Sequence, residues 1–147
     1  MRLSSGTLVG LQFALLAVIL ASTAPSAIAR GWVFALPLFA LGTVLGLWAL
    51  GYNKIGNFNI RPEVRDGAEL VTRGPYRRLR HPMYTALLLM AAGLVAIDPR
   101  LARMALFGAL FLVLDTKARR EEVLLTARFP QYLAYKTKAA RFFPGIY

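Results

Sequence analysis

Residues able to do chemistry gather in two stretches of the chain. The first is Arg80-His81-Pro82-Met83-Tyr84, which closes a basic, turn-rich run from Leu70 and holds the sole histidine of 147 residues. The second is Glu121-Glu122, two carboxylates set just beyond an apolar segment. An imidazole in such a place serves either as a general base or, preceding Pro82, as the cap of a helix start. Adjacent glutamates on a helix point in different directions, so one of the two faces inward. That one either pairs with Arg78 or Arg80 as a structural ion pair or receives the hydroxyls or ammonium group of a polar ligand. Tyr76 and Tyr84 divide in the same way between interfacial anchors and ligand-lining phenols.

The composition says what carries these groups. A hydrophobic content of 57% and a mean hydropathy of +0.52 are those of an integral membrane protein and not of a soluble domain. With no cysteine, disulfides, thiolate metal sites and cysteine nucleophiles are excluded, and one histidine among seven acids argues against a zinc centre, so no metal is expected. The net charge of +11 asks for an anionic partner. Because the basic residues alternate with membrane-length apolar runs, that partner is a membrane face and not nucleic acid.

Residues 8–24 are expected to form a first transmembrane helix, with a cleaved signal peptide ending near Ala27-Ile28-Ala29 as the competing reading. Residues 31–53 form a second, kinked at Pro37, anchored by Trp32 and Tyr52, and closely packed through Gly42 and Gly46 within the bundle in preference to a dimer face. The polar segment 54–80 carries the turn signals Gly56-Asn57, Asp66-Gly67 and Gly74-Pro75. Pro82 suits the first turn of a helix. Residues 82–97 and 101–114 read as a short apolar hairpin about Asp98-Pro99-Arg100, with Arg103 snorkelling to the far interface. Beyond it the fourth helix continues into the basic tail.

Seven of the eighteen Lys and Arg residues lie in 54–80 and seven in 115–147, which places both segments, and both termini, in the cytoplasm. The expected architecture is an all-α integral membrane domain over residues 1–147, a bundle of about four transmembrane helices, in which 1–53 supplies two helices and 54–147 the core.

The run Gly74-Pro-Tyr-Arg-Arg-Leu-Arg-His-Pro-Met-Tyr84, then Glu121-Glu122, Phe129-Pro-Gln-Tyr-Leu-Ala-Tyr135 and Arg141-Phe-Phe-Pro144, resembles the isoprenylcysteine carboxyl methyltransferase family and its phospholipid N-methyltransferase relatives. Asn57-Phe58-Asn59 and Leu70-Val71-Thr72 extend the likeness, which covers residues 52–147. It implies an integral membrane methyltransferase that binds S-adenosyl-L-methionine without a Rossmann domain, in a cytoplasmic pocket closed by the C-terminal helical segment. No G-x-G-x-x-G follows a predicted strand, in agreement. The resemblance assigns cofactor contacts to Ala68, Glu69, Leu70, Val71, Tyr76, His81, Pro82, Met83, Tyr84 and Glu121, with Glu122 as the substitute.

One departure stands out. Lys117 occupies the place where the prenylcysteine enzymes carry an arginine that meets the substrate carboxylate. A lysine still pairs with an anion but lacks the bidentate fork, so Lys117 is expected to bind substrate without making that substrate a prenylcysteine. The expected reaction is in-line methyl transfer to an O, N or S nucleophile of a lipophilic acceptor, with no catalytic base named. Two rivals remain. Membrane sterol and enone reductases are similar in their C-terminal half and bind NADPH, for which Arg73, Arg77, Arg78 and Arg80 would serve the 2′-phosphate; a lipid-binding scaffold would need no chemistry at all.

Overall fold

The computed structural model describes residues 3–53, 67 and 69–145. Among the described residues the chain is all-helical: α1 (Ser5–Ala21), α2 (Pro25–Tyr52), α3 (Pro82–Ile97), α4 (Leu101–Arg128) and α5 (Tyr132–Lys136), with a 3-10 turn over Gly74–Arg77 ahead of α3.

Local chemistry explains most of the boundaries. The Ser4 hydroxyl accepts a 3.0 Å bond from the Thr7 amide and so starts α1 ahead of the expected residue 8. That helix stops at Ala21, where the Ser22 and Thr23 hydroxyls both turn back to the Ile19 carbonyl. Pro25, in the first turn of α2, restarts the helix six residues before the expected start, and Pro37 sits inside it. Pro82 does the same for α3, whose span is the expected one. The apolar character of α4 ends near residue 114, but nothing in 115–128 breaks a helix, and it runs unbroken until Phe129 precedes Pro130.

Helices α2 and α3 pack along their lengths and α1 lies against α4. A Cβ on Gly42 would fall 2.8 Å from Met90 Cγ and 2.9 Å from the Ala86 carbonyl, and one on Gly46 3.5 Å from Ala86 Cβ. The Gly42/Gly46 pair therefore serves the internal α2–α3 contact. Between α1, α3 and α4 lies a core of Ile19, Leu88, Ala91, Leu110 and Leu114, capped by Phe142 from the C-terminal strap, residues 137–145 after α5.

Arg103 departs from expectation. Its guanidinium does not snorkel outward but is buried, donating to the Ile19 carbonyl (3.1 Å), the Thr23 hydroxyl (2.7 Å) and the Leu94 carbonyl (2.7 Å), with Asp98 at 3.6 Å. Ile19 and Leu94 lie in the last turns of α1 and α3; the cation supplies a donor to the Leu94 carbonyl, since the Asp98 amide bonds to Val95 instead, and joins the two hydroxyls already on the Ile19 carbonyl.

Among the described residues one segment, Gly31–Tyr52, is long and apolar enough by itself to cross a membrane; Ser5–Ala21 and Pro82–Ile97 are apolar but shorter. The outward faces of α1 and α2 expose Phe13, Leu20, Phe34, Leu41, Val44 and Trp48.

Candidate active site

Three elements bring the reactive side chains together. The 3-10 turn begins at Gly74, whose φ of +58° and whose closeness to Tyr52, a Cβ there falling 2.6 Å from the ring, admit only glycine. From this turn the chain runs through residues 78–81 beside the C-terminal strap, as a parallel bridge between Leu79 and Ala140. The Ala140 amide donates to the Arg78 carbonyl (3.0 Å), the Arg80 amide to Ala140 (2.8 Å) and the His81 amide to Arg141 (3.2 Å). Tyr135 adds a hydroxyl bond to the Tyr76 carbonyl (2.6 Å). His81 is thus held by the backbone at the start of α3.

His81 occupies the N-cap position, yet its side chain makes no capping bond. The imidazole instead turns toward α4 and lies between the two glutamates, with Nδ1 3.4 Å from Glu121 Oε2 and Nε2 3.3 Å from Glu122 Oε1. Adjacent positions on a helix point apart, but a ring with nitrogens on opposite edges reaches both carboxylates. The Nε2 contact is close enough for charge attraction but not aligned for a hydrogen bond, so that buried nitrogen has no hydrogen-bond partner. Burial alone would lower the His81 pKa; the contacts with Glu121 and Glu122 outweigh it and raise it above the ordinary imidazole value.

One turn along α3, the Tyr84 ring stacks on His81 and its hydroxyl donates to Glu121 Oε1. Phe142 meets both rings edge-on, at 6.1 and 6.4 Å between centroids. On α4, Lys117 lies one turn before Glu121, with Nζ 5.1 Å from the centroid of the Tyr84 ring.

The two glutamates have different surroundings. Glu122 is buried and meets Arg80 Nε at 2.9 Å, Arg141 Nε at 3.0 Å and Lys136 Nζ at 3.2 Å. Burial pushes its carboxyl up, but His81, Arg141 and Arg80 together hold it far below the usual carboxylate range. Arg141 also reaches Asp115 (2.8 Å). Glu121 is less buried, and its described partners are Tyr84 and His81. Its charge, second to burial, helps raise the Tyr76 phenol to about 12.

Of the expected residues, Tyr76, His81, Tyr84, Lys117, Glu121 and Glu122 share this cluster, with Pro82 buried and Met83 half-buried at the head of α3. Glu69 is exposed and Leu70 and Val71 half-buried on the non-helical segment leading to the turn, while Ala68 lies outside the described residues. Arg80 makes the structural ion pair; Arg78 is exposed. Sequence reasoning missed Gln12, Asp115 and Lys136, and met Arg141 only as part of the tail motif. A cleft of about 380 Å³ beside Glu122 is lined by Arg119, Val123, Thr126, Lys136 and Arg141.

Two curated relatives match over 83 residues, 56% of this chain: the cobalt-zinc-cadmium resistance protein CzcN of Cupriavidus metallidurans at 37% identity and the nickel-cobalt-cadmium resistance protein NccN of Alcaligenes xylosoxydans xylosoxydans at 35%. The matched region spans 38% and 39% of their respective lengths. The profile of the phospholipid methyltransferase family matches residues 31–131, from the second turn of α2 through the whole of α4. This match takes in the His81–Tyr84 turn and both glutamates, and the chain belongs to the phospholipid methyltransferase family.

Proposed function

We propose that the protein is an integral membrane methyltransferase that uses S-adenosyl-L-methionine to methylate a lipophilic acceptor at the cytoplasmic face. Family membership supports methyl transfer. The observation that carries the site is the linkage of Tyr84 and His81 to Glu121, next to a second glutamate already saturated by cations.

The residues fit the cofactor. A sulfonium and an ammonium call for aromatic faces and a carboxylate, which Tyr84, Tyr76 and Glu121 supply. When bound, S-adenosyl-L-methionine supplies an electrophilic methyl group. Glu121 is the glutamate that binds it, because Glu122 is engaged by Arg80, Arg141 and Lys136 and keeps the strap on the core. Glu69, Leu70 and Val71, on the segment before the turn, and Pro82 and Met83, at the head of α3, complete the proposed cofactor contacts. Lys117 lies on the acceptor side. The C-terminal strap, fastened along 78–81, excludes water from the site.

The exposed apolar faces of α1 and α2 and the basic segments on either side of the α3–α4 hairpin support a multi-pass topology with both termini cytoplasmic. The names of the two relatives point to metal resistance. With one histidine and no cysteine, this chain has few soft ligands, so its proposed substrate is a membrane-partitioned molecule and not the metal ion.

The test is thermal stability of the purified protein with S-adenosylhomocysteine, with NADPH and with neither. A rise with S-adenosylhomocysteine that disappears in Glu121→Gln is the expected result. A rise with NADPH alone would overturn the proposal in favour of a reductase.

A further inference from the structure

The cleft beside Glu122 opens on a different face of α4 from the one that carries the proposed methyl-transfer site. Counted at about 100° per residue, its four α4 residues, Arg119, Glu122, Val123 and Thr126, share an arc of about 100°. Glu121 and Lys117, whose Nζ donates to Gln12 Oε1 of α1 (2.6 Å), point about 150–170° away from the middle of that arc. Across the cleft stand Lys136 of α5 and Arg141 of the C-terminal strap. The ion pairs here join four cations, Arg80, Arg119, Lys136 and Arg141, through two carboxylates, Asp115 and Glu122. The network thus carries more positive than negative charge, and an anion is the ligand it attracts. The same face continues along α4 as Leu112, Gly108, Ala105 and Leu101, at intervals of three or four residues and all exposed. A Cβ on Gly108 would meet nothing within 4 Å, so the stripe is open at its middle. At 1.5 Å per residue Arg119 stands about 7 Å beyond Leu114, where the apolar part of α4 ends, and lipid headgroups extend about 5–8 Å beyond the hydrocarbon. Cations at headgroup depth and an apolar stripe at acyl-chain depth therefore share one face.

We propose that this face of α4 is a binding site for an anionic phospholipid of the cytoplasmic leaflet: the headgroup phosphate enters the cleft between Arg119 and Lys136, and an acyl chain lies along Leu112, Gly108, Ala105 and Leu101. The inference rests on the membrane topology proposed above but not on methyl transfer. A free phosphate would leave the stripe uncovered, and an uncharged chain would leave the cations unmet. The Arg119 guanidinium offers a planar fork to two phosphate oxygens, and Lys136 adds a point charge. A zwitterionic lipid brings its own ammonium to a cleft already in excess of cations, so a net-negative headgroup is preferred. The bound lipid is not the methyl acceptor, because α4 lies between it and Glu121. Its role is to fasten the cover of the site: a phosphate shared by Arg119 and Lys136 ties α5, and the strap that follows it, to α4.

The experiment places the full chain in nanodiscs of phosphatidylcholine alone, with added phosphatidylglycerol, or with added phosphatidylethanolamine. A further arm adds inorganic phosphate to the phosphatidylcholine discs. Thermal midpoints are measured in each, and the lipids that stay on the protein after release into detergent are counted by native mass spectrometry. Phosphatidylglycerol is expected to be retained and to raise the midpoint, while phosphatidylethanolamine and inorganic phosphate do neither. Arg119→Gln should weaken phosphatidylglycerol retention about fivefold. Arg78→Gln removes the same charge at an exposed position outside the cleft and should leave retention unchanged. Leu112→Ser, which shortens the stripe and spares the cleft, should also weaken it. Equal losses in Arg119→Gln and Arg78→Gln would reduce the effect to diffuse attraction by a basic surface, and an equal response to inorganic phosphate would reduce it to a phosphate subsite. Either result overturns the proposal, as does retention of phosphatidylethanolamine in preference to phosphatidylglycerol, or of no lipid at all. A chain that does not enter nanodiscs removes the membrane reading itself, and the proposal with it.

Discussion

The His81 imidazole lies face to face with the Tyr84 phenol, 5.5 Å apart and 7° from parallel, and Glu121 contacts both, accepting from the phenol hydroxyl and facing the imidazole Nδ1. One carboxylate thus fixes two rings on α3 from a position on α4. Replacing it with an amide keeps its size and removes the charge that both rings face. Glu121→Gln is expected to weaken S-adenosylhomocysteine by about ten- to a hundredfold, as read by calorimetric titration, with little loss of fold.

Glu122 should behave in the opposite way. Its carboxylate compensates Arg80, Arg141 and Lys136 together, so Glu122→Gln leaves buried Arg141 and half-buried Arg80 without a counter-charge there and facing the exposed Lys136. A loss of about 3 kcal/mol is expected, visible as a lower thermal midpoint. If Glu122→Gln proved as stable as the parent and bound cofactor poorly, the two glutamates would have to exchange roles.

The same cluster sets a pH dependence with two limbs. The raised pKa of His81 means that its contribution is complete below the ordinary value of 6.5 and is lost as pH climbs through the folded-state value. The lowered pKa of Glu122 means that its contribution is present above the ordinary 4.5 and is lost only as pH falls toward the depressed folded-state value. Thermal midpoints measured from about pH 5 to about pH 9 should therefore decline on the alkaline side. His81→Asn should remove that decline.

Packing makes a sharper contrast between two glycines. A methyl at Gly42 collides with Met90 and the Ala86 carbonyl, whereas one at Gly108 meets nothing within 4 Å. Gly42→Ala should cost about 1–3 kcal/mol by forcing α2 and α3 apart. Gly108→Ala should be neutral or gain up to about 1 kcal/mol from helix propensity. Thermal midpoints of the two single variants, measured side by side, check both.

What the sequence makes legible is local, and what escapes it is distant. Pro82 in the first turn and Asp98-Pro99 at the far end define α3, and both signals lie within the helix or next to it. The proximity of the His81 turn to Glu121-Glu122 follows from charge asymmetry, because two basic segments on one side of a hairpin must face each other. Arg141 escapes because its partners lie 19 and 26 residues earlier and no periodicity links them. Gln12 escapes for a similar reason: a single amide in an apolar run carries no pattern, and its partner is 105 residues away. Arg103 reads as a cation at a helix start bound for water, since nothing in its neighbours announces that the ends of α1 and α3 leave carbonyls beside it.

Because α4 runs unbroken from Leu101 to Arg128, Arg103 near one end and Glu121 near the other share a single rotational phase. Each residue advances that phase by about 100°. Inserting one alanine between residues 104 and 116 would keep the helix intact and still swing Glu121 away from Tyr84 and Lys117 away from Gln12, or else unseat Arg103 from the ends of its two neighbours. The bundle thus indexes its chemistry at one end by an anchor at the other.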